Sequence, residues 1–452
     1  MMQSQDSKIE IGHLIDNRRL APLQILVIVL SFLVVWLDGY HIQSMSLVVK
    51  TIGKEWNVSP QNFKLVVSAA LIGILLGSAT IGSMGDRWGR RKVLILSMII
   101  VGISSIFTGY ANSMTELVIW RFLTGLGLGA SIPNATALTS DYVPGQRRAA
   151  LVTLMFSGVA IGALASGFIA PEIIRFFGWR AIFTIGGVVP LVMAVVLAFA
   201  MPESIRLLLA NKPGDPRIKK ILSRMAPDVD ASMVYAKKQD VQRASVFELL
   251  SKTYVKGTLL LWFVFAVNMF ILYLLVNWLP TLLSNQGWTE AQSMRGAVMN
   301  QLGGVIGGLI LSYYVDRGKT VISTIASYAL TAIAFGLFAV LPSTGLSWWV
   351  LLMIVGGGIS GAQFVINALA AGFYPPAIRS TGVGWAFSVG RIGAVLSGFA
   401  GGFILELQLA PMTVLQLLVI PVLMCIVGVL MFRNTFQAAP GPAPEKTLLA
   451  KS

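Results

Sequence analysis

Residues 22–49 read PLQILVIVLSFLVVWLDGYHIQSMSLVV. Apolar side chains dominate this stretch, which is longer than the roughly 20 residues that a helix needs to cross a bilayer. One carboxylate, Asp38, interrupts it. Ionisable side chains at membrane depth are costly, so they usually serve a pathway, a proton or a ligand. The stretch therefore predicts a membrane-spanning helix that carries a functional acid.

The composition of the whole chain is typical of a membrane protein. Of its 452 residues, 56% are hydrophobic and only 12% are charged, whereas soluble domains carry about 25% charged residues. The formal net charge of +15 could indicate a nucleic-acid partner. The bases, however, lie in short loops between apolar stretches, as they do in cytoplasmic loops. We therefore predict a chain that is embedded in a lipid bilayer and binds no nucleic acid.

The sequence lacks the motifs of enzymes and of ATP-driven pumps. It contains no Gly-Lys-Ser/Thr phosphate-binding loop. Its two histidines, His13 and His41, are far apart, and its one cysteine, Cys425, excludes an intramolecular disulfide. We predict that the protein is not an enzyme, and that it holds no metal and no cofactor beyond a proton as coupling ion.

Hydropathy predicts twelve membrane spans, and therefore an all-α membrane protein with twelve transmembrane helices. Two of the spans, 63–84 and 293–315, are less apolar and rich in Gly and Ser, which suits buried positions with close helix contacts. The twelve spans are 22–49, 63–84, 93–111, 115–139, 149–171, 179–200, 257–284, 293–315, 319–341, 347–372, 380–405 and 411–433.

The distribution of Lys and Arg predicts the orientation and the domains. The polar loop 203–256 carries 11 bases and 6 acids, which places it and both chain termini in the cytoplasm. It separates two sets of six spans, and Tyr142 and Pro144 of the first set correspond to Tyr374 and Pro376 of the second. Two pseudo-symmetric six-helix bundles are a known transporter plan. The predicted domains are a cytoplasmic N-terminal segment 1–21, a bundle 22–200, a cytoplasmic central loop 201–256, a bundle 257–433 and a disordered cytoplasmic tail 434–452.

Four titratable or charged side chains lie deep in the predicted spans: Asp38, His41, Arg121 and Arg391. Asp38 and His41 are three residues apart and share a helix face. A rise of ~1.5 Å per residue places Asp38 and Arg121 at a similar depth in the outer half of the bilayer. An acid that exchanges protons beside a base that binds carboxylates predicts transport of an anion with a proton. We assign proton coupling to Asp38, His41 and Arg121, and carboxylate binding to Arg391 and Arg121.

Two motifs resemble signatures of the major facilitator superfamily: GSMGDRWGRRK at 82–92 and RFLTGLGLG at 121–129. Finer features resemble its aromatic acid:proton symporter branch, namely DGY at 38–40, PNATAL at 133–138 and YPPAIRSTGVGW at 374–385. This branch usually carries a second acid where the present chain has His41.

The resemblance implies a monomeric symporter in a bacterial inner membrane. It would import benzoate, a hydroxybenzoate or protocatechuate with protons by alternating access. The resemblance also implies a conformational gate at the loop after the second span and at its repeat after the eighth. The gate residues are Gly82, Asp86, Arg87, Gly89, Arg90, Arg91, Asp316 and Arg317.

Polar and aromatic residues in the spans are candidates for substrate contacts. Tyr40 and Trp385 can stack on an aromatic ring, and Asn134, Gln363 and Asn367 can hydrogen-bond its substituents. Three alternatives remain open from sequence: a carrier of another organic anion, an exporter, and a sensor that binds aromatic acids without carrying them, with the loop 203–256 as its output module.

Overall fold

The computed structural model describes residues 9–236, 246–341 and 346–438, and twelve long helices dominate these ranges. We label them α1 to α12 in chain order. They are α1 Pro22–Trp56, α2 Lys64–Ala79, α3 Arg90–Tyr110, α4 Met114–Tyr142, α5 Arg148–Phe177, α6 Arg180–Ala200, α7 Val255–Asn285, α8 Glu290–Asp316, α9 Thr320–Leu337, α10 Leu346–Phe373, α11 Pro376–Glu406 and α12 Val419–Ala438.

Each predicted span has one of these helices. Eleven helical segments in the described ranges are long and apolar enough to cross a membrane, including those that contain α2 and α8. The remaining long helix is α4, with 29 residues. Arg121, three glycines, Pro133 and Asn134 lower its hydropathy, and α4 is not among these eleven segments.

Small residues allow the first six helices to pack closely. A Cβ atom at Gly162 of α5 would lie 1.9 Å from the backbone oxygen of Trp36 in α1. A Cβ atom at Gly125 of α4 would lie 2.1 Å from the backbone oxygen of Ala70 in α2. Since neither position accepts a side chain, these glycines set the distance between α1 and α5 and between α2 and α4.

The segments outside the bundle are folded against it. Strand β1 (Ile9–Glu10) pairs in parallel with β2 (Val234–Tyr235). The apolar side chains of the helices Ile11–Asp16, Ile205–Asn211 and Pro216–Met225 join one buried cluster with the ends of α1, α3 and α4. The other short elements are the helices Gly85–Trp88, Val246–Leu249 and Pro411–Leu417, and the 3-10 turns Pro60–Phe63, Gly82–Met84, Gly145–Arg147 and Ala231–Met233.

Residues 9–18 together with 201–236 form what we call the peripheral layer, and two polar contacts attach it. Asp16 Oδ1 accepts a hydrogen bond from the backbone N–H of Gly145 at 2.6 Å. The Arg18 guanidinium forms a two-pronged ion pair with Asp228. The N-terminal segment is therefore attached both to the turn before α5 and to the central loop.

By compactness the described chain divides into two units. The first contains 9–236, 273–302 and 395–411, and the second contains the rest. The boundary cuts α7, α8 and α11, so these units differ from the predicted division at 201–256, which stays a prediction. Helix α12 continues to Ala438, past the predicted start of the tail at 434, and residues 439–452 lie outside the described ranges.

Candidate functional site

Asp38 lies in the middle of α1 with no exposed surface. Its Oδ2 accepts a hydrogen bond from the hydroxyl of Ser131 on α4. Its Oδ1 has no hydrogen-bond partner among the described residues. Within the same residues Asp38 forms no ion pair with Arg121, so the arrangement differs from a structural Asp–Arg bridge. One oxygen of a buried carboxylate is left for a proton.

The Ser131 hydroxyl has two possible acceptors but only one hydrogen. Besides Asp38 Oδ2, it lies 2.7 Å from the backbone oxygen of Leu128. When Asp38 is ionised, Ser131 can donate to it. When Asp38 is protonated, Asp38 can donate to the Ser131 oxygen while Ser131 donates to Leu128. The geometry thus fits both protonation states without moving a helix.

His41 lies about one helical turn beyond Asp38 on α1, and Arg121 of α4 lies beside it. His41 is fully buried, and its ring makes no hydrogen bond to another side chain of the described chain, while the backbone of Gly186 lies beside it. Arg121 Nη2 donates to the backbone oxygen of His41 at 3.2 Å, and the guanidinium lies 6.0 Å from the Phe183 ring centre. No carboxylate of the described ranges pairs with Arg121. A buried, unneutralised cation is costly and is suited to an anionic ligand.

Arg121 lines a small cavity within the first unit. Its walls are mainly apolar, with Met45 and Leu71 on α1 and α2, and Asn277 contributes the one amide. Beside it, Tyr40 is mostly buried and donates its hydroxyl hydrogen to the backbone oxygen of Ile182 at 2.8 Å. The predicted site residues Asp38, Tyr40, His41 and Arg121 therefore belong to one neighbourhood.

Asn134 has partners within the protein. Its Nδ2 donates to the backbone oxygens of Gly82 at 3.0 Å and Ala130 at 2.9 Å. A Cβ atom at Gly85 would lie 1.7 Å from Asn134 Oδ1. Asn134 thus fastens the turn after α2 to α4, and a substrate contact by this residue stays a prediction.

The predicted substrate residues of the second unit are grouped on α10 and α11. Gln363 and Asn367 are half-buried on one face of α10 and bond to each other at 3.0 Å. Trp385 is 41% exposed and stacks on Trp262 with ring centres 6.0 Å apart. Arg391 on α11 is half-buried.

The gate motif forms a charge cluster at the ends of α3 and α4. Arg90 bonds to the carboxylate of Asp141 at the end of α4, to the backbone oxygen of Ala137 at 3.0 Å, and to Asp86 at 3.3 Å. Asp141 also accepts from the hydroxyl of Ser204. The cluster joins the start of α3, the end of α4 and the start of the central loop.

Glu203 completes the cluster. Its carboxylate accepts from the backbone N–H of Arg91 at 3.2 Å, while the Arg91 guanidinium donates to the backbone oxygen of Ala198. Gly89 has a φ of +107°, and a Cβ atom there would lie 2.3 Å from Glu203 Oε2, so both conformation and space require glycine. Arg87 is exposed.

The repeat of the gate after α8 is described only in part. Arg317 lies over the ring of Tyr313 at 3.8 Å, and the side chain of Asp316 lies outside the described part of the chain. A gating role for all eight predicted residues stays a prediction.

Several polar partners were not predicted from sequence: Ser131, Asp141, Asn268 and Tyr328. Glu203 and Ser204, which follow α6, also bind Arg91 and Asp141. The sequence contains a signal for these contacts, because Glu203 is an acid directly after a span, in a loop rich in bases, and such an acid needs a partner. Among the described residues, no group of three His, Cys, Asp or Glu side chains could hold a metal ion.

Comparison with known proteins identifies the family. The sequence model of the Major Facilitator Superfamily matches residues 25–398. The chain is similar to the 4-hydroxybenzoate transporter PcaK of Pseudomonas aeruginosa, with 36% identity over 94% of this chain and 96% of that protein. It is also similar to the gallate transporter of Pseudomonas putida, with 32% identity over 92% of this chain and 93% of that protein.

Solved structures agree on the fold. The chain superimposes on the xylose transporter XylE from E. coli, in its inward open conformation, with a TM-score of 0.71 over 93% of this chain and 98% of that chain. The sequence identity is 18%, so the likeness concerns the fold alone. The predicted fold class, an all-α membrane protein with twelve transmembrane helices, is confirmed.

Proposed function

Because the chain belongs to the major facilitator superfamily, and is therefore a multi-pass membrane transporter and not an enzyme, we propose that it imports an aromatic carboxylate together with protons by alternating access. Relatives that cover almost the whole chain transport 4-hydroxybenzoate and gallate. Both substrates are hydroxylated benzoates, and this is the substrate class that we propose here.

The environment of Asp38 is the observation that supports proton coupling. It is a fully buried acid with a single donor, Ser131, and a second oxygen without a partner. A carboxylate that alternates between the ionised and the neutral form changes the charge of the membrane interior by one unit in each cycle. Because protonation shifts the equilibrium between the conformations of the protein, this change of charge couples the proton gradient to the conformational change.

Arg121 supports the binding of an anion. It is buried, and no acid of the described ranges neutralises it, so a substrate carboxylate can pair with it by two parallel hydrogen bonds. When the anion and a proton on Asp38 are both present, the interior carries a smaller net charge than with either alone. His41, whose ring makes no hydrogen bond to another described side chain, is a second candidate proton carrier. We place the protein in a bacterial inner membrane as a monomer, with both termini cytoplasmic.

The decisive experiment measures uptake in proteoliposomes with an imposed inward proton gradient. Radiolabelled 4-hydroxybenzoate, gallate, benzoate and an aliphatic acid are compared, with and without a protonophore. We expect gradient-dependent accumulation of the aromatic acids only. Binding without accumulation would instead indicate a sensor, and accumulation of aliphatic acids alone would contradict the substrate class.

Asp38→Asn separates coupling from transport. The amide keeps the shape of the carboxylate but cannot cycle a proton, so we expect proton-driven accumulation to be lost. Exchange of labelled for unlabelled substrate at equal concentrations should persist, because it requires no net proton movement. Full accumulation by this variant would contradict the role of Asp38.

A further inference from the structure

Four side chains of the second unit form a continuous hydrogen-bonded chain across α7, α9 and α10. The Tyr328 hydroxyl bonds to Asn268 Oδ1 at 2.9 Å. Asn268 Nδ2 bonds to Gln363 Oε1 at 2.9 Å, and Gln363 Nε2 bonds to Asn367 Oδ1 at 3.0 Å. Tyr328 and Asn268 are completely buried, whereas Gln363 and Asn367 are half-buried. This series of hydrogen bonds therefore begins at side chains buried within the second unit and ends at amides that are partly exposed.

A backbone oxygen fixes the direction of every bond in this amide chain. Asn268 Nδ2 also lies 3.4 Å from the backbone oxygen of Ile359. A carbonyl can only accept, so this side of the Asn268 amide must be its NH2 group. Oδ1 then faces Tyr328, whose hydroxyl must donate.

The same logic continues along α10. Gln363 must turn its oxygen towards the Asn268 NH2 group, so its own NH2 group faces Asn367. Asn367 must in turn accept with its oxygen. Its NH2 group is left at the end of the chain, without a hydrogen bond in the described ranges. The chain presents a donor at this end and not an acceptor.

We infer that the Asn367 amide group binds the ring oxygen of a hydroxylated aromatic acid, and that Asn268 and Tyr328 are positioning residues that hold it in the donating orientation. The inference rests on the proposed function. A neutral amide donor suits a phenolic oxygen, whereas a carboxylate is better held by a guanidinium. A polar side chain half-buried within a membrane span is also costly unless it serves a ligand or a pathway.

The test measures substrate discrimination by the full-length protein in proteoliposomes. For each variant, kcat/KM is determined for 4-hydroxybenzoate and for benzoate. Asn367→Leu removes the donor at similar volume, and we expect the ratio of the two values to fall about tenfold, the effect of one hydrogen bond. Tyr328→Phe deletes a single oxygen far from the substrate and leaves only the 3.4 Å contact with the Ile359 backbone oxygen to orient the amides. We expect a smaller fall, about threefold.

Thr331→Val is the matched control. Thr331 is buried on α9, one turn from Tyr328, and its hydroxyl donates only within its own helix, to the backbone oxygen of Ser327. We expect this variant to keep the ratio of the unmodified protein. It excludes a general effect of removing a buried hydroxyl from α9.

A pair of inhibitors of similar shape tests the donor directly. 4-Methoxybenzoate carries an oxygen that can only accept, and 4-ethylbenzoate carries a methylene at the same place. The unmodified protein should be inhibited better by the methoxy compound, and Asn367→Leu should lose this preference. Should Asn367→Leu fail to fold, Tyr328→Phe still measures the ratio of kcat/KM for 4-hydroxybenzoate and benzoate.

Each outcome separates the inference from the proposed function. Unchanged ratios in Asn367→Leu and Tyr328→Phe would overturn the inference while aromatic transport stands. Equal losses for benzoate and 4-hydroxybenzoate would assign Asn367 to the carboxylate and also overturn it. If the unmodified protein transports no aromatic acid at all, both the inference and the proposed function are wrong.

Discussion

Asp38 depends on a single hydroxyl for its hydrogen bonding. Ser131 supplies that hydroxyl from α4, and no other described group bonds to either carboxylate oxygen. A buried charge without a donor is strongly disfavoured. The ionised form of Asp38, which must occur once in each proposed transport cycle, therefore relies on Ser131.

Ser131→Ala removes that donor at little cost in volume. We expect proton-driven uptake to slow by about tenfold, since a hydrogen bond to a charged group contributes ~1.5–3 kcal/mol. Exchange without a proton gradient should change much less. Ser166→Ala is the control, because this buried hydroxyl donates within its own helix to the backbone oxygen of Ala163. Equal effects of the two substitutions on proton-driven uptake would contradict a role for Ser131 in coupling.

The sequence singles out Asp38 as an acid within a span, but it does not reveal that Ser131 is its partner. Asp38 is recognisable because an acid in an apolar span is rare and costly. Ser131 is 93 positions away, and serines in helices commonly bond to their own backbone. Asn268 and Tyr328 were missed for the same reason, since their bonds are made across helices whose relative rotation a sequence does not reveal.

At the scale of the helices, α1 and α5 approach so closely that a methyl group has no room between them. We expect Gly162→Ala to destabilise the protein by ~1–3 kcal/mol or more, because the new Cβ atom would overlap the backbone of Trp36. Thermal denaturation in detergent measures the effect. Gly336→Ala on α9 is the control, since nothing lies within 4 Å of a Cβ atom there. Equal stability of the two variants would show that α1 and α5 can separate freely.

The peripheral layer is an element that hydropathy did not predict. Its helices are too short to be spans, although Pro216–Met225 has a clear amphipathic pattern. Their apolar faces are buried in one cluster with the bundle. The sequence does not predict that residues 9–18 pair with 201–236, because this contact arises only when the chain folds.

The Arg18–Asp228 pair makes the attachment of this layer depend on pH. The hydrogen bond from Arg18 lowers the pKa of Asp228 to about 2, below the value of ~3.9 for an Asp in an unfolded chain. The pair therefore stabilises the folded state above pH ~4, and this contribution disappears as the pH falls through about 2. The pair is exposed, so the effect is small.

Asp228→Asn measures this contribution. We expect its denaturation temperature to lie slightly below that of the unmodified protein at neutral pH, and the two values to converge as the pH falls from 5 towards 2. A difference that stays constant over this range would contradict the assignment.

At the scale of the whole molecule, two ion pairs connect helices from the two predicted repeats. Lys54 at the end of α1 bonds to Glu290 at the start of α8, and Lys64 at the start of α2 bonds to Glu406 at the end of α11. All four residues lie in the first unit. Alternating access requires helices of the two repeats to part in turn on each side of the membrane. The alternating-access cycle that we propose therefore requires both pairs to break once in each turn.

Cross-linking at one pair tests this requirement. The double variant Lys54→Cys, Glu290→Cys is joined with a short reducible reagent, and we expect uptake to stop and to return after reduction. The one native cysteine, Cys425, is buried, so the engineered thiols are the accessible targets in the described ranges. Each single variant serves as a control and should continue to transport after the same treatment. Normal uptake by the cross-linked protein would mean that α1 and α8 do not separate here.

The pairing of β1 with β2 has a consequence for biosynthesis. Ile9 is aligned with Val234, and every residue between them must be made before the two can meet. Helices α1 to α6 all lie within that interval. With the cytoplasmic N-terminus that we propose, the start of the chain waits on the ribosome side while the first six helices enter the bilayer, and its docking can mark the moment when that half is finished.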